Sequence, residues 1–258
     1  MRVCAVQLDV DMDQSFETRV KATAHLVRSH ADADLVVLPE LWPNGGFTYD
    51  LWQETAQPVD GPLVTEFAEL AAQLRIHLHL GSIVERRPDG GLSNTSVLIG
   101  PDGTVLATYR KIHLFGFAEG EPELMTAGDE VVTVDTAWGR LALATCYDLR
   151  FPELFRRLAD AGAWLVVVPA AWPAPRVGHW TVLAQARAIE NQMVVVAVNT
   201  AGEQGGKTMG GHSLVVDARG TVLAQAGPAA AVLDVDVDPA DVAAWRAQFP
   251  VLPDRRLT

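Results

Sequence analysis

Three side chains of this sequence make a working chemical set: the thiol of Cys146, the carboxylate of Glu40 and the ammonium of Lys111. A thiol can attack a carbonyl carbon once a base takes its proton, and a fixed cation can hold the oxyanion that the attack creates. Lys111 beside carboxylates stays charged, so its part is positive charge and the base is Glu40. The set is that of acyl transfer. Cys146 follows an apolar run, Leu141 to Ala144, and precedes an amphipathic stretch, Pro152 to Ala161. The spacing predicts a strand-to-helix turn with Cys146 at its start, where helix N–H groups face the sulfur and favour the thiolate.

The elements that must carry these groups are legible as α/β. Arg2 to Leu8 reads as a buried strand and Ser15 to Ser29 as a helix. Asp34 to Glu40 reads as a strand covered on both faces, with Glu40 at its C-terminal end. Trp42 to Gly46 breaks into a loop, Val64 to Leu74 forms a helix and His77 to Glu85 a strand. Ser93 to Tyr109 forms a hairpin turned at Pro101-Asp102-Gly103, with Lys111 just past it. Phe115 to Gly128 reads as one long loop, a feature that usually serves function.

The second half repeats this grammar from about Val131. Trp164 to Ala170 is a buried strand, Trp172 to Arg176 a loop and Trp180 to Gln192 a helix. Met193 to Asn199, His212 to Asp217, Thr221 to Ala226 and Ala231 to Val237 continue as strands. Letters repeat as well as patterns: residues 96–107 answer 213–224, residues 35–39 answer 165–169, and residues 2–5 answer 140–143, all in the same order. The reading is two similar α/β halves sharing one core, a single domain over 1–250, with residues 251–258 as a C-terminal arm.

A net charge of −12 argues against nucleic acid or an anionic membrane as partner. The N-terminus turns acidic before a signal-peptide core could form, and no apolar run reaches the length of a membrane span, so the expected location is cytoplasmic. Two cysteines, Cys4 and Cys146, imply no disulfide framework. Of the seven histidines only His77 and His79 are close, at strand spacing and without a companion ligand, so a metal is not expected and the pair reads as packed or half-exposed. Gly45-Gly46 and Gly205-Gly206 lack the strand-to-helix phosphate pattern, so no nucleotide cofactor is expected either.

Leu-Pro-Glu at 38–40, Tyr-Arg-Lys-Ile-His-Leu-Phe at 109–115 and Cys-Tyr-Asp-Leu-Arg-Phe-Pro-Glu at 146–153 resemble the three signature blocks of the nitrilase, or carbon–nitrogen hydrolase, superfamily. Residues 186–192 and Gly211-His212-Ser213 resemble further blocks. The resemblance implies a four-layer αββα sandwich, a homodimer of stacked sandwiches, and a catalytic triad carried here by Glu40, Lys111 and Cys146. It also implies a second glutamate after the lysine block, best matched by Glu121 with Glu119 and Glu123 as rivals. The loop Ala171-Trp172-Pro173-Ala174-Pro175-Arg176 with His179-Trp180 is similar to the ω-amidase branch, which hydrolyses the terminal amide of small 2-oxo dicarboxylate monoamides.

On this reading Tyr147 supplies an oxyanion N–H, Trp172 walls the pocket and Arg176 grips a substrate carboxylate. Arg150 and Glu153 are expected to pair and hold the nucleophile turn. Deaminated-glutathione amidase, N-carbamoyl amino acid amidohydrolase, nitrilase and a catalytically silent dimeric binding module are the alternatives.

Overall fold

The computed structural model describes residues 1–117 and 119–256. The first half runs β1 (Arg2–Gln7), α1 (Phe16–Arg28), β2 (Leu35–Val37), α2 (Tyr49–Thr55), α3 (Pro62–Leu74), β3 (His77–Arg86), β4 (Leu92–Ile99), β5 (Val105–Arg110), the single turn α4 (Glu121–Leu124) and β6 (Thr133–Thr136). The second runs β7 (Gly139–Leu143), α5 (Pro152–Asp160), β8 (Leu165–Pro169), α6 (Val177–Asn191), β9 (Val194–Val198), the small hairpin β10 (Glu203–Gln204) and β11 (Lys207–Thr208), β12 (Leu214–Val216), β13 (Val222–Gln225), β14 (Ala231–Asp236) and α7 (Pro239–Gln248).

Two six-stranded sheets result, ordered β14-β1-β2-β3-β4-β5 and β6-β7-β8-β9-β12-β13. Each has three parallel strands at its centre, an antiparallel hairpin on one side and an antiparallel edge strand on the other. The letter repeat is thus a repeat of topology. By topology the boundary between halves falls after β6 rather than near Val131 as expected, because β6 stands beside β7 as β14 stands beside β1; counted this way the edge strands are exchanged, β6 closing the second sheet and β14 the first.

The sheets face each other through Val3, Ala5, Leu35, Val37 and Leu98 on one side and the β7–β9 valines, leucines and alanines on the other. Alternate residues of the first sheet, Cys4, Val6, Val36 and Leu78 among them, face α1 and α3, whose inner stripes include Val20, Ala24, Phe67 and Leu70. The second sheet is covered by Phe155 and Leu158 of α5 and Trp180, Ala184 and Ala188 of α6. This is the αββα sandwich. Strands buried on both faces carry no alternation, which is why they read as continuous apolar runs.

Local chemistry sets the helix ends. Ser15 caps α1 by accepting from the Thr18 N–H at 3.2 Å, and prolines begin α3 and α5, where a missing N–H costs nothing. The sequence reading missed two helices, α2 and α7, and the single turn α4 within the expected loop. In α2 the apolar spacing is weak, and α7 is held by the Asp238 cap, buried Val242, and Arg246, which donates to Ala163 O and Gln192 O. Beyond α7 the chain turns back, and Arg255 pairs with Asp160 at the end of α5. Residues 257–258 of the expected arm lie outside the described residues.

Candidate active site

Glu40 lies beyond its strand rather than at its end, because β2 stops at Val37. Leu38 N still donates to His79 O, then Pro39 offers no N–H and Leu41 turns into the left-handed region at φ 47°. β3 makes room with a bulge between His79 and Ser82, whose Gly81 has φ 71°. A Cβ on Gly81 would stand 1.9 Å from Pro39 O, so only glycine permits the crossing. Ser82 Oγ then accepts the Leu41 N–H at 3.1 Å and fixes the residue after the carboxylate.

Lys111 follows β5 directly, with its N–H on Asn94 O of the neighbouring strand. Its ammonium is 2.8 Å from Glu40 Oε1 and 2.7 Å from Glu121 Oε2, and all three groups are buried. Burial alone would lower the lysine pKa, but the charges of Glu121 and Glu40 overcome it and hold Lys111 well above its ordinary value. Glu121 is pushed up by burial and by Glu40, against the pull of Lys111. Asn94 Nδ2 donates to both carboxylates, at 2.8 Å to Glu40 and 2.6 Å to Glu121. Glu40 Oε2 takes the Ala171 N–H at 2.7 Å, and Glu121 Oε2 takes that of Phe115 at 2.5 Å. Of the three acids considered after the lysine block, Glu121 is buried on Lys111, whereas Glu119 and Glu123 are exposed.

Cys146 lies three residues past the end of β7 and opens a 3-10 turn, Cys146–Arg150, that leads into α5. It holds φ 47°, a left-handed conformation that costs a non-glycine residue about 1 kcal/mol or more. Thr145 N donates to Asp148 Oδ2 at 2.8 Å in a reciprocal cap, and fully buried Asp148 also accepts from the Tyr109 hydroxyl at 2.7 Å and the His113 N–H at 3.1 Å. The nucleophile turn is thereby bolted to the residues flanking Lys111. The Tyr147 N–H donates to no acceptor among the described residues.

The expected lowering of the Cys146 pKa is corrected by these surroundings. Burial first, then the charge of Glu40, push the thiol well above its ordinary value, outweighing Lys111. The resting group is a thiol, and its reaction needs a base.

One pocket, of about 420 Å³ with its open mouth, contains Cys146, Lys111, Glu40 and Glu121. Tyr147, Trp172 and Arg176 line it, with Phe47, Tyr49 and Phe115 completing an aromatic wall. Arg176 lies over the Phe115 ring at 5.5 Å. The expected Arg150–Glu153 pair does not form among the described residues. Arg150 instead lines the pocket, 4.7 Å over Trp172 and 3.3 Å from His179 Nδ1, while Glu153 is exposed. Sequence reasoning missed Asn94, Phe47, Tyr49 and the Ala171 N–H. The one available signal was a polar residue, Asn94, inside a strand buried throughout.

Residues 2–247 match the carbon–nitrogen hydrolase family model. The chain belongs to that family. It is 45% identical to a 2-oxoglutaramate amidase of Paenarthrobacter nicotinovorans over 98% of this chain and 89% of that protein. It is 35% identical to the human omega-amidase NIT2, covering 99% and 95% of the two chains. The crystal structure of Saccharomyces cerevisiae Nit3, a member of branch 10 of the nitrilase superfamily, superposes with a TM-score of 0.90 at 30% identity, covering 100% of this chain and 97% of that one.

His77 and His79 do not make a ligand pair. His77 packs edge-on against Trp138 at 4.8 Å, and His79, fully buried, accepts the Gly81 N–H at 3.2 Å. Burial pushes His79 down to about 3, so it stays neutral. Gly46 and Gly205 serve close packing: Gly46 donates to Gln204 Oε1 at 2.7 Å, a Cβ on it would stand 2.5 Å from the Ala171 side chain, and one on Gly205 2.1 Å from Phe47 O.

Proposed function

We propose that this amidase is an ω-amidase, releasing ammonia from the terminal amide of a small carboxylate such as 2-oxoglutaramate or 2-oxosuccinamate. The observation that carries the reading is polarity within one pocket. Cys146, Lys111, Glu40 and Glu121 occupy it together with two arginines, Arg150 and Arg176, among aromatic walls. A molecule with an amide at one end and a carboxylate at the other satisfies both groups.

Glu40 takes the thiol proton as Cys146 Sγ attacks the amide carbon, and the carbonyl electrons move to an oxyanion held by Lys111 and the Tyr147 N–H. Collapse breaks the C–N bond. Glu40 returns the proton to the departing nitrogen, and ammonia leaves a thioester on Cys146. Glu121 or Glu40 then takes a proton from water, which attacks the thioester and expels the thiolate. The regenerated thiolate recovers the proton, and Asn94 keeps the two carboxylates in register throughout.

Residues 1–250 form the catalytic unit in this proposal, and two copies stack as a homodimer in the cytoplasm. Exposed Val182 and Ile189, seven apart on α6, offer an apolar strip for the second copy, and none of the described helices is long and apolar enough to cross a membrane. The test is ammonia release from 2-oxoglutaramate, 2-oxosuccinamate, glutamine, deaminated glutathione, an N-carbamoyl amino acid and a nitrile, with Cys146→Ala as control. Fast, cysteine-dependent release from the 2-oxo monoamides is expected. Preference for another member of the panel discards the substrate, and full activity of Cys146→Ala discards the mechanism.

A further inference from the structure

On the far side of the first sheet from the second, a cysteine, a histidine and an aspartate meet. We propose that Cys4, His30 and Asp234 form a binding site for one thiophilic divalent cation of the zinc class, separate from the catalytic pocket. Their donor atoms, Sγ, an imidazole nitrogen and a carboxylate oxygen, all lie within 4.8 Å of one another. Cys4 on β1 stands directly opposite Asp234 on β14 in the antiparallel ladder, and His30 follows the end of α1. None of the three residues lines the catalytic pocket.

The donor set is specific. A thiolate with an imidazole and a carboxylate suits zinc and cobalt(II) and is a poor cage for magnesium or calcium, which want oxygen throughout. Three protein donors leave the fourth position of a tetrahedral ion to water. Cys4 is fully buried, and half-buried His30 and exposed Asp234 give the ion its way in. Burial, then Asp234 and Asp32, push the Cys4 thiol up to about 12; those two carboxylates are charges a cation would offset, and Arg2 now bridges them at the rim. On binding, the S–H proton passes to solvent and the sulfur becomes a ligand. The ion would tie the first strand of the chain to its last and both to α1.

Cobalt(II) titration of the Cys146→Ala protein tests this with the catalytic thiol removed. Near-ultraviolet thiolate-to-cobalt absorption saturating at one equivalent is expected, with a rise in thermal midpoint when zinc is added. The band should vanish in Cys146→Ala/Cys4→Ser, and His30→Ala in the Cys146→Ala background should weaken binding by more than the roughly 10- to 100-fold typical of losing an outer-shell partner. A Cys146→Ala protein without the band, a band that survives Cys4→Ser, or binding unmoved by His30→Ala overturns the proposal.

Discussion

The Tyr109 hydroxyl donates to Asp148 Oδ2 at 2.7 Å and so joins the strand that leads to Lys111 to the turn that begins at Cys146. Burial and the Asp148 charge push the Tyr109 phenol well above its usual range, so it remains a donor at any working pH. Asp148→Ala strands the Tyr109 hydroxyl and the Thr145 and His113 N–H groups. The unfolding free energy should fall by about 3 kcal/mol, from orphaned donors costing about 1–3 kcal/mol each. Tyr109→Phe, which removes a buried hydrogen bond to a charged carboxylate, should cost about 1.5–3 kcal/mol. Urea unfolding measures both, and kcat in the still-folded Tyr109→Phe protein reports how far the cysteine depends on the lysine strand for its position.

Glu40 raises the Cys146 pKa and, in the proposed mechanism, also supplies its base, and these effects separate on substitution. Glu40→Gln removes an anion that disfavours the thiolate, so the pKa falls and the pH midpoint of iodoacetamide alkylation should move to lower pH. Amide turnover should nevertheless drop by about 10²- to 10⁴-fold with the base gone. An alkylation midpoint that stays put or rises contradicts the electrostatic account.

Arg150 and Arg176 should divide the grip on a substrate carboxylate. Either arginine changed to alanine should raise KM for a 2-oxo monoamide by roughly 10-fold, the loss of one charge-assisted hydrogen bond. Neither should affect hydrolysis of an uncharged amide to that degree. Equal effects on both substrates would locate the carboxylate grip elsewhere.

Gly81→Ala should damage catalysis from a distance. Its Cβ would meet Pro39 O, and the φ of 71° adds backbone strain, so β3 or the Pro39–Glu40 segment must move. We expect a loss of about 2 kcal/mol in stability together with a fall in kcat, since a misplacement near 1 Å can cost about 100-fold. Thermal unfolding and kcat, measured on the same preparation, check both.

The buried strands were legible because Leu35–Val37 and Leu165–Pro169 are apolar on both faces, and the repeat was legible because its letters match. The partner of β14 was not, since its pairing with β1 spans nearly the whole chain and leaves no local trace. Glu40, Lys111 and Cys146 were found through their blocks, but the devices that aim them, the Gly81 bulge, the Asn94 bridge and the Asp148 hub, depend on contacts distant in sequence. Arg150 was misassigned because helical spacing to Glu153 ignores the 3-10 turn that swings it into the pocket. The helix-start argument for a thiolate failed because burial and the charges of Glu40 and Glu121 outweigh the pull of Lys111.

Because the last strand of each half completes the other half's sheet, neither half is a finished object. A polypeptide ending after β6 would hold a first sheet with β1 as a raw edge and would carry a spare strand with nothing of its own to join. Two identical copies of such a fragment would answer one another's need by trading that strand. The full-length chain is, in topological terms, a swapped pair whose partners have been spliced end to end, and folding of its first sheet must wait for nearly the last residues to be made.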